Sequence, residues 1–94
     1  MKYSMNEEGT KLTVSVEGEL DVRTSPELEK ALIPALDGKE DVVIDLKDVS
    51  YLSSAGLRLL LSAAKVMDTQ GKMVVKNVSQ DVMEIMEDTG LTLF

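Results

Sequence analysis

Apolar and polar residues alternate twice near the start of the chain. Over residues 1–6, Met1, Tyr3 and Met5 share one side; over residues 11–17, Leu12, Val14 and Val16 do. A period of two marks half-buried strands. NEEGT, with Gly9, lies between them, so a hairpin is predicted, its second strand ending at Gly18. The period then lengthens. In LDVRTSPELEKALIPAL, Thr24 and Glu27 fit a capping box, and Ser25 before Pro26 fits an N-cap with proline at the first helical position. Leu28, Ala31, Leu32 and Ala35 form the inward stripe of that helix. Pro34 is expected to kink or end it, and Asp37-Gly38 to turn the chain.

Two short apolar runs follow, DVVIDL at 41–46 and KMVVK at 72–76. Each comes after a helix, as central parallel strands covered on both faces would. The longest helical stretch, 53–69, places Arg58, Ser62, Lys65 and Thr69 on one polar sector. Leu57, Leu60, Leu61 and Ala64 form its core stripe, widened by Leu59, Ala63 and Val66, with Gly71 at the stop. Ser79 can cap a last helix with Val82, Ile85 and Met86 inward, Gly90 ending it and a short apolar tail packing after it. The order is β-β-α-β-α-β-α. The predicted fold is a single α/β domain with a mixed four-stranded sheet, its first strand antiparallel at the edge, and about three helices.

Composition narrows the chemistry. Ninety-four residues suit one domain with one small core. Seventeen acidic residues against ten basic ones give a net charge of −7, which disfavours nucleic acid and anionic membrane surfaces and suits a basic protein surface. Cysteine and histidine are absent, which removes disulfides, thiol nucleophiles, a histidine base and most zinc sites. MKYSMNEEGT has no apolar core of a signal peptide, and the run from Leu59 to Val66 is broken by Ser62 and Lys65. It is far shorter than the roughly 18 residues of a spanning helix. A cytoplasmic protein is expected.

One segment carries chemistry. DVVIDLKDVSYLSSAGLRLLL passes from a strand through a short loop into a helix start holding Ser53, Ser54, Ala55 and Gly56. One serine there is explained as a cap. If Ser53 is that cap, Ser54 is free to project. Gly56 is unfavourable in a helix by up to about 1 kcal/mol relative to alanine, and small residues leave the end open to close approach. Unpaired amides and the helix dipole favour negative charge there, so a phosphate on Ser54 suits the position.

This block resembles the signature of the STAS domain, the family named for sulfate transporters and anti-sigma-factor antagonists. GELDVRTSPELEKAL resembles the family's second-strand-to-first-helix segment, and TGLTLF the end of its last helix. In antagonist members the phosphorylated residue sits in an Asp-Ser-x-Gly-Leu pattern. That register places the phosphosite at Ser54 and the Gly-Leu at Gly56 and Leu57, with Ser53 where Asp is frequent. Ala55 and Arg58 flank it, and Asp21 matches an acidic residue that members place nearby. The resemblance implies a partner switch. The unmodified protein binds an anti-sigma factor that is also a serine kinase, phosphorylation of Ser54 ends the binding, and a metal-dependent serine phosphatase resets it. The alternative is a STAS-type structural subunit of a transporter or signalling complex without a phosphate cycle. No P-loop is present and the carboxylates are dispersed, so an enzyme is not expected; a loose nucleotide contact near Asp21 and Ser54 is the most that is foreseen.

Overall fold

A computed structural model describes residues 1–88, and the side chains of 1–84. The elements are β1 (Lys2–Glu8), β2 (Lys11–Leu20), α1 (Ser25–Ala35), β3 (Asp41–Leu52), α2 (Ser54–Asp68), β4 (Lys72–Lys76) and α3 (Gln80–Asp88). The sheet order is β1-β2-β3-β4, with β1 antiparallel to β2 and the other pairs parallel. This is the predicted mixed sheet with its antiparallel edge. Gly90 and the apolar tail, whose roles were foreseen from sequence, lie outside the described residues, as do the side chains of Ile85 and Met86.

Alternation puts Leu12, Val14 and Val16 of β2 on the same face as Val42, Ile44 and Leu46 of β3, and all six are buried. Leu28 and Leu32 of α1 and Leu57, Leu60 and Met67 of α2 close the core over that face. The other face differs from the two-sided burial expected for DVVIDL and KMVVK. Asp41, Val43 and Asp45 are only half-buried, and Val74 is exposed. The contiguous valines of each run concealed a one-sided alternation, because Val43 and Val74 point away from the helices.

Both inner strands run longer than predicted. β2 continues through Gly18 to Leu20, and the supposed loop after Leu46 is strand to Leu52. The burial rhythm of β3 explains the misreading. Buried positions fall at 42, 44 and 46, then at 49 and 52. Two register shifts against β2 each give β3 an extra residue, so Ser15 pairs with Asp45 yet Leu20 with Leu52. Such bulges bend a strand and break its period of two. Asp45 helps hold the first, accepting hydrogen bonds from the Lys47 amide at 2.9 Å and Asn77 Nδ2 at 3.1 Å.

In α2 the buried residues are Gly56, Leu57, Leu59, Leu60, Ala63 and Met67, while Leu61 and Ala64 are half-buried. The inward stripe is therefore rotated from the predicted one, since α2 packs on α1 as well as on the sheet. The predicted polar sector of Arg58, Ser62, Lys65 and Thr69 is exposed throughout. In α1, Pro34 falls in the last turn and the helix ends one residue later. Gly71 does more than stop α2. A Cβ on it would collide with the Glu40 backbone, where the Lys72 amide donates to the Glu40 carbonyl at 3.0 Å. Ser79 caps α3 as expected, its Oγ accepting from the Val82 amide at 3.2 Å. No helix among the described residues is long and apolar enough to cross a membrane.

Candidate functional site

The bulges in β3 bring its end level with the end of β2. Leu20 and Leu52 are paired, and the Ser53 amide donates to the Leu20 carbonyl at 3.0 Å. The chain therefore leaves the sheet twice at one corner, into Asp21 and into Ser54. The structure brings together two segments that are more than thirty positions apart in the sequence.

Ser53 caps α2. Its backbone is extended, at φ −86° and ψ 174°, and its Oγ accepts from the Gly56 amide at 3.4 Å. Its carbonyl accepts from the Leu57 amide at 3.0 Å. Ser54 is then the first helical residue and is exposed. This is the division of labour predicted from SSAG, with one serine holding the helix and the next projecting. The open end of a helix carries unpaired amides and a partial positive charge, which suits an anion on Ser54 Oγ.

Gly56 and Leu57 belong to the floor of the site rather than to its contact surface. Leu57 is 1% exposed, and Gly56 is buried. A Cβ on Gly56 would stand 2.8 Å from the Leu20 carbonyl and 2.7 Å from Leu52 Cδ1. Its missing side chain lets α2 sit on the protein's own strand ends, a correction to the expectation that it opens the helix end to another molecule. Ser53 and Ala55 are half-buried and Arg58 is exposed, so these three can reach a partner.

Asp21 has a structural task that the sequence assigned elsewhere. Its Oδ1 accepts from the amides of Arg23 at 2.9 Å and Thr24 at 3.1 Å. Thr24 is the N-terminal flanking residue of α1, but it is in helical conformation and makes no capping bond. Its Oγ1 donates instead to the Glu19 carbonyl at 2.8 Å and accepts from the Asp21 amide at 2.9 Å. The predicted Thr24–Glu27 box is thus not formed, and an Asx turn at Asp21 starts the helix instead. The hydrogen bond from the Arg23 guanidinium, helped by the two backbone amides and opposed by desolvation, holds the Asp21 carboxyl below its usual value of 3.8. It is ionised at neutral pH, and 13% of its side chain remains exposed.

Sequence reasoning missed the apolar rim. Val22 is 72% exposed beside Asp21, and Tyr51 is 48% exposed on the end of β3. Apolar residues in a turn or on a bulge have no periodicity to betray them. Val22, Pro26, Ala55 and Arg58 also line a groove of about 340 Å³ between α1 and α2. The corner can therefore offer a hydroxyl, a carboxylate and a guanidinium among apolar contacts.

The model of the STAS domain family matches residues 2–94. A protein of Staphylococcus aureus (strain NCTC 8325 / PS 47) named anti-sigma-B factor antagonist is 41% identical over 80 residues, covering 83% of this chain and 74% of that protein. The protein of the same name from Staphylococcus epidermidis is 40% identical over the same shares. Among solved structures, an anti-sigma factor antagonist from Mycobacterium paratuberculosis superposes with a TM-score of 0.84 at 28% identity, covering 95% of this chain and 77% of that one. The anti-sigma factor antagonist SpoIIAA in its unphosphorylated form superposes with a TM-score of 0.83 over 96% of this chain and 82% of that one; its 16% identity makes this a likeness of fold.

Proposed function

The chain belongs to the STAS domain family, and on that premise we propose that it is an anti-sigma factor antagonist switched at Ser54. The unmodified protein binds an anti-sigma factor that is also a serine kinase, and so frees the sigma factor. The kinase then transfers the γ-phosphoryl group of ATP to Ser54 Oγ; ADP leaves, and the hydroxyl proton passes to a base of the kinase. The modified surface is released, and a metal-dependent serine phosphatase restores it. The chain is the substrate of this chemistry and acts in the cytoplasm.

The observation that carries the reading is the placement of Ser54: exposed at the first position of α2, with Ser53 and not Ser54 committed to the cap. A hydroxyl engaged as a cap would have to break that bond to be modified. Ala55 and Arg58 follow the serine on α2 and line a groove with Val22 of the Asp21 turn, so a partner that binds there has charge and apolar contact on the same helix as the hydroxyl it modifies. The experiment is to incubate the protein with its cognate anti-sigma factor and ATP and to locate the phosphate by mass spectrometry. Phosphate on Ser54 is expected. Phosphate on Ser53, or none on either serine, contradicts the reading.

A further inference from the structure

Ser54 and Arg58 stand four residues apart on α2, and both are exposed. Residues at that spacing lie one turn apart on the same helix face, with Cβ atoms about 5–6 Å from each other. The ion pairs among the described residues join Arg23 to Glu19 and Asp21, and Lys39 to Glu7; Arg58 takes part in none of them. Arg58 lines the groove between α1 and α2 together with Val22, Pro26 and Ala55. Glu29 lines that groove from α1 without pairing to it.

We propose that Arg58 is the internal counter-charge of phosphorylated Ser54, so that modification both adds a phosphate to the corner and takes the guanidinium away from the groove. The inference rests on the reading of Ser54 as the modified residue. A phosphate dianion presents three acceptor oxygens, and a guanidinium matches two of them with parallel N–H donors. The order along the helix, anion first and cation four residues later, is the favourable one for an i,i+4 pair and for the dipole. Before modification the arginine is free to meet a carboxylate of the partner across the groove. Afterwards it is held by its own helix. Release then follows from two changes at one surface: a new anion beside the partner, and the loss of a cation the partner used.

The test does not depend on any kinase. Phosphoserine is installed at position 54 during translation, and the phosphate is titrated by phosphorus NMR in the otherwise unaltered chain and in Arg58→Gln, Arg58→Lys and Lys65→Gln. A neighbouring guanidinium favours the dianion, so Arg58→Gln should raise the second phosphate pKa by about 0.15–0.4 unit. Arg58→Lys should restore part of that difference, and 1 M salt should shrink it. Lys65→Gln, on the same exposed sector two turns farther on, should leave the titration unchanged. An Arg58→Gln titration within about 0.1 unit of the parent, or an equal shift in Lys65→Gln, overturns the proposal. Because the phosphate is placed by translation, these outcomes are separate from whether a kinase labels Ser54.

Discussion

Gly56 lies where α2 crosses the ends of two strands, and its lack of a side chain settles an opposition between local and tertiary preference. Alanine there would favour the helix by up to about 1 kcal/mol. It would also drive a Cβ to within 2.8 Å of the Leu20 carbonyl, the same oxygen that receives the Ser53 amide. Backbone cannot swing aside as a flexible side chain can, and overpacking of this kind costs about 1–3 kcal/mol. Packing should win: Gly56→Ala is expected to lower the melting temperature by about 5 °C or more in a chain of this size. An unchanged or higher midpoint would show that strand and helix have room to part. Ser53 is the complementary case. Ser53→Ala removes the cap and should lower stability in urea by about 1 kcal/mol, while mass spectrometry still finds the phosphate on Ser54. Loss of labelling without loss of stability would assign Ser53 to recognition. The cap at Ser53 and the exposure of Ser54 were legible in SSAG because a cap needs only a short polar side chain at the right step. Gly56 was read as an opening, because a sequence does not show which backbone lies across a helix.

At the scale of elements, local pattern served best where an element packs on a single layer. The β1–β2 hairpin forms as expected, and Leu12, Val14 and Val16 of β2 and Leu28 and Leu32 of α1 follow their periods; β1 itself does not, since Tyr3 is exposed and within the strand only Met5 is half-buried. The second half of β3 does not, because two bulges change its rhythm from every second residue to every third. KDVSYL consequently read as a loop, yet those bulges are what align Leu52 with Leu20 and build the corner. The start of α1 misled for a different reason. TSPE contains the residues of a capping box, but Asp21 reaches the Thr24 amide first. Asp21 and Asp45 both fix turns by accepting backbone amides, and both carboxyls are held below 3.8, Asp45 chiefly by the Lys47 amide. A carboxyl with a lowered native pKa contributes stability that is complete above its unfolded value and lost as pH falls through its folded one. Melting temperature should therefore decline as pH drops below about 3.8. Asp21→Asn and Asp45→Asn should each start lower at pH 7 and decline less steeply in acid. Parallel curves for variant and parent would remove these two groups from the acid transition.

For the whole molecule, the net charge of −7 and the one-sided sheet matter less than where the charge changes. Phosphorylation of Ser54, as proposed, would add about −1.5 to −2 at the head of α2, a position whose dipole favours the added charge by about 0.3–1 kcal/mol. The fold should survive modification, and the effect should fall on binding. On the proposed switch, a kinase partner would bring its own anionic nucleotide to the serine. Two like charges about 5 Å apart at an effective dielectric near 20 repel by roughly 3 kcal/mol, which is on the order of a hundredfold in affinity. The fold class and the exposed position of Ser54 at the head of α2 were visible in the sequence, since both rest on contiguous residues. The apolar rim of Val22 and Tyr51 and the groove beside Arg58 were not, since they exist only once two distant chain segments meet. The most direct measurement is a binding titration against the nucleotide-loaded anti-sigma factor, with and without ATP turnover, for the parent chain, Ser54→Ala and Ser54→Asp. The account predicts that ATP releases the parent by about a hundredfold in affinity, that Ser54→Ala binds and is never released, and that Ser54→Asp binds weakly from the outset. Release of Ser54→Ala by ATP, or parent-like binding by Ser54→Asp together with an ATP-insensitive parent, would contradict it.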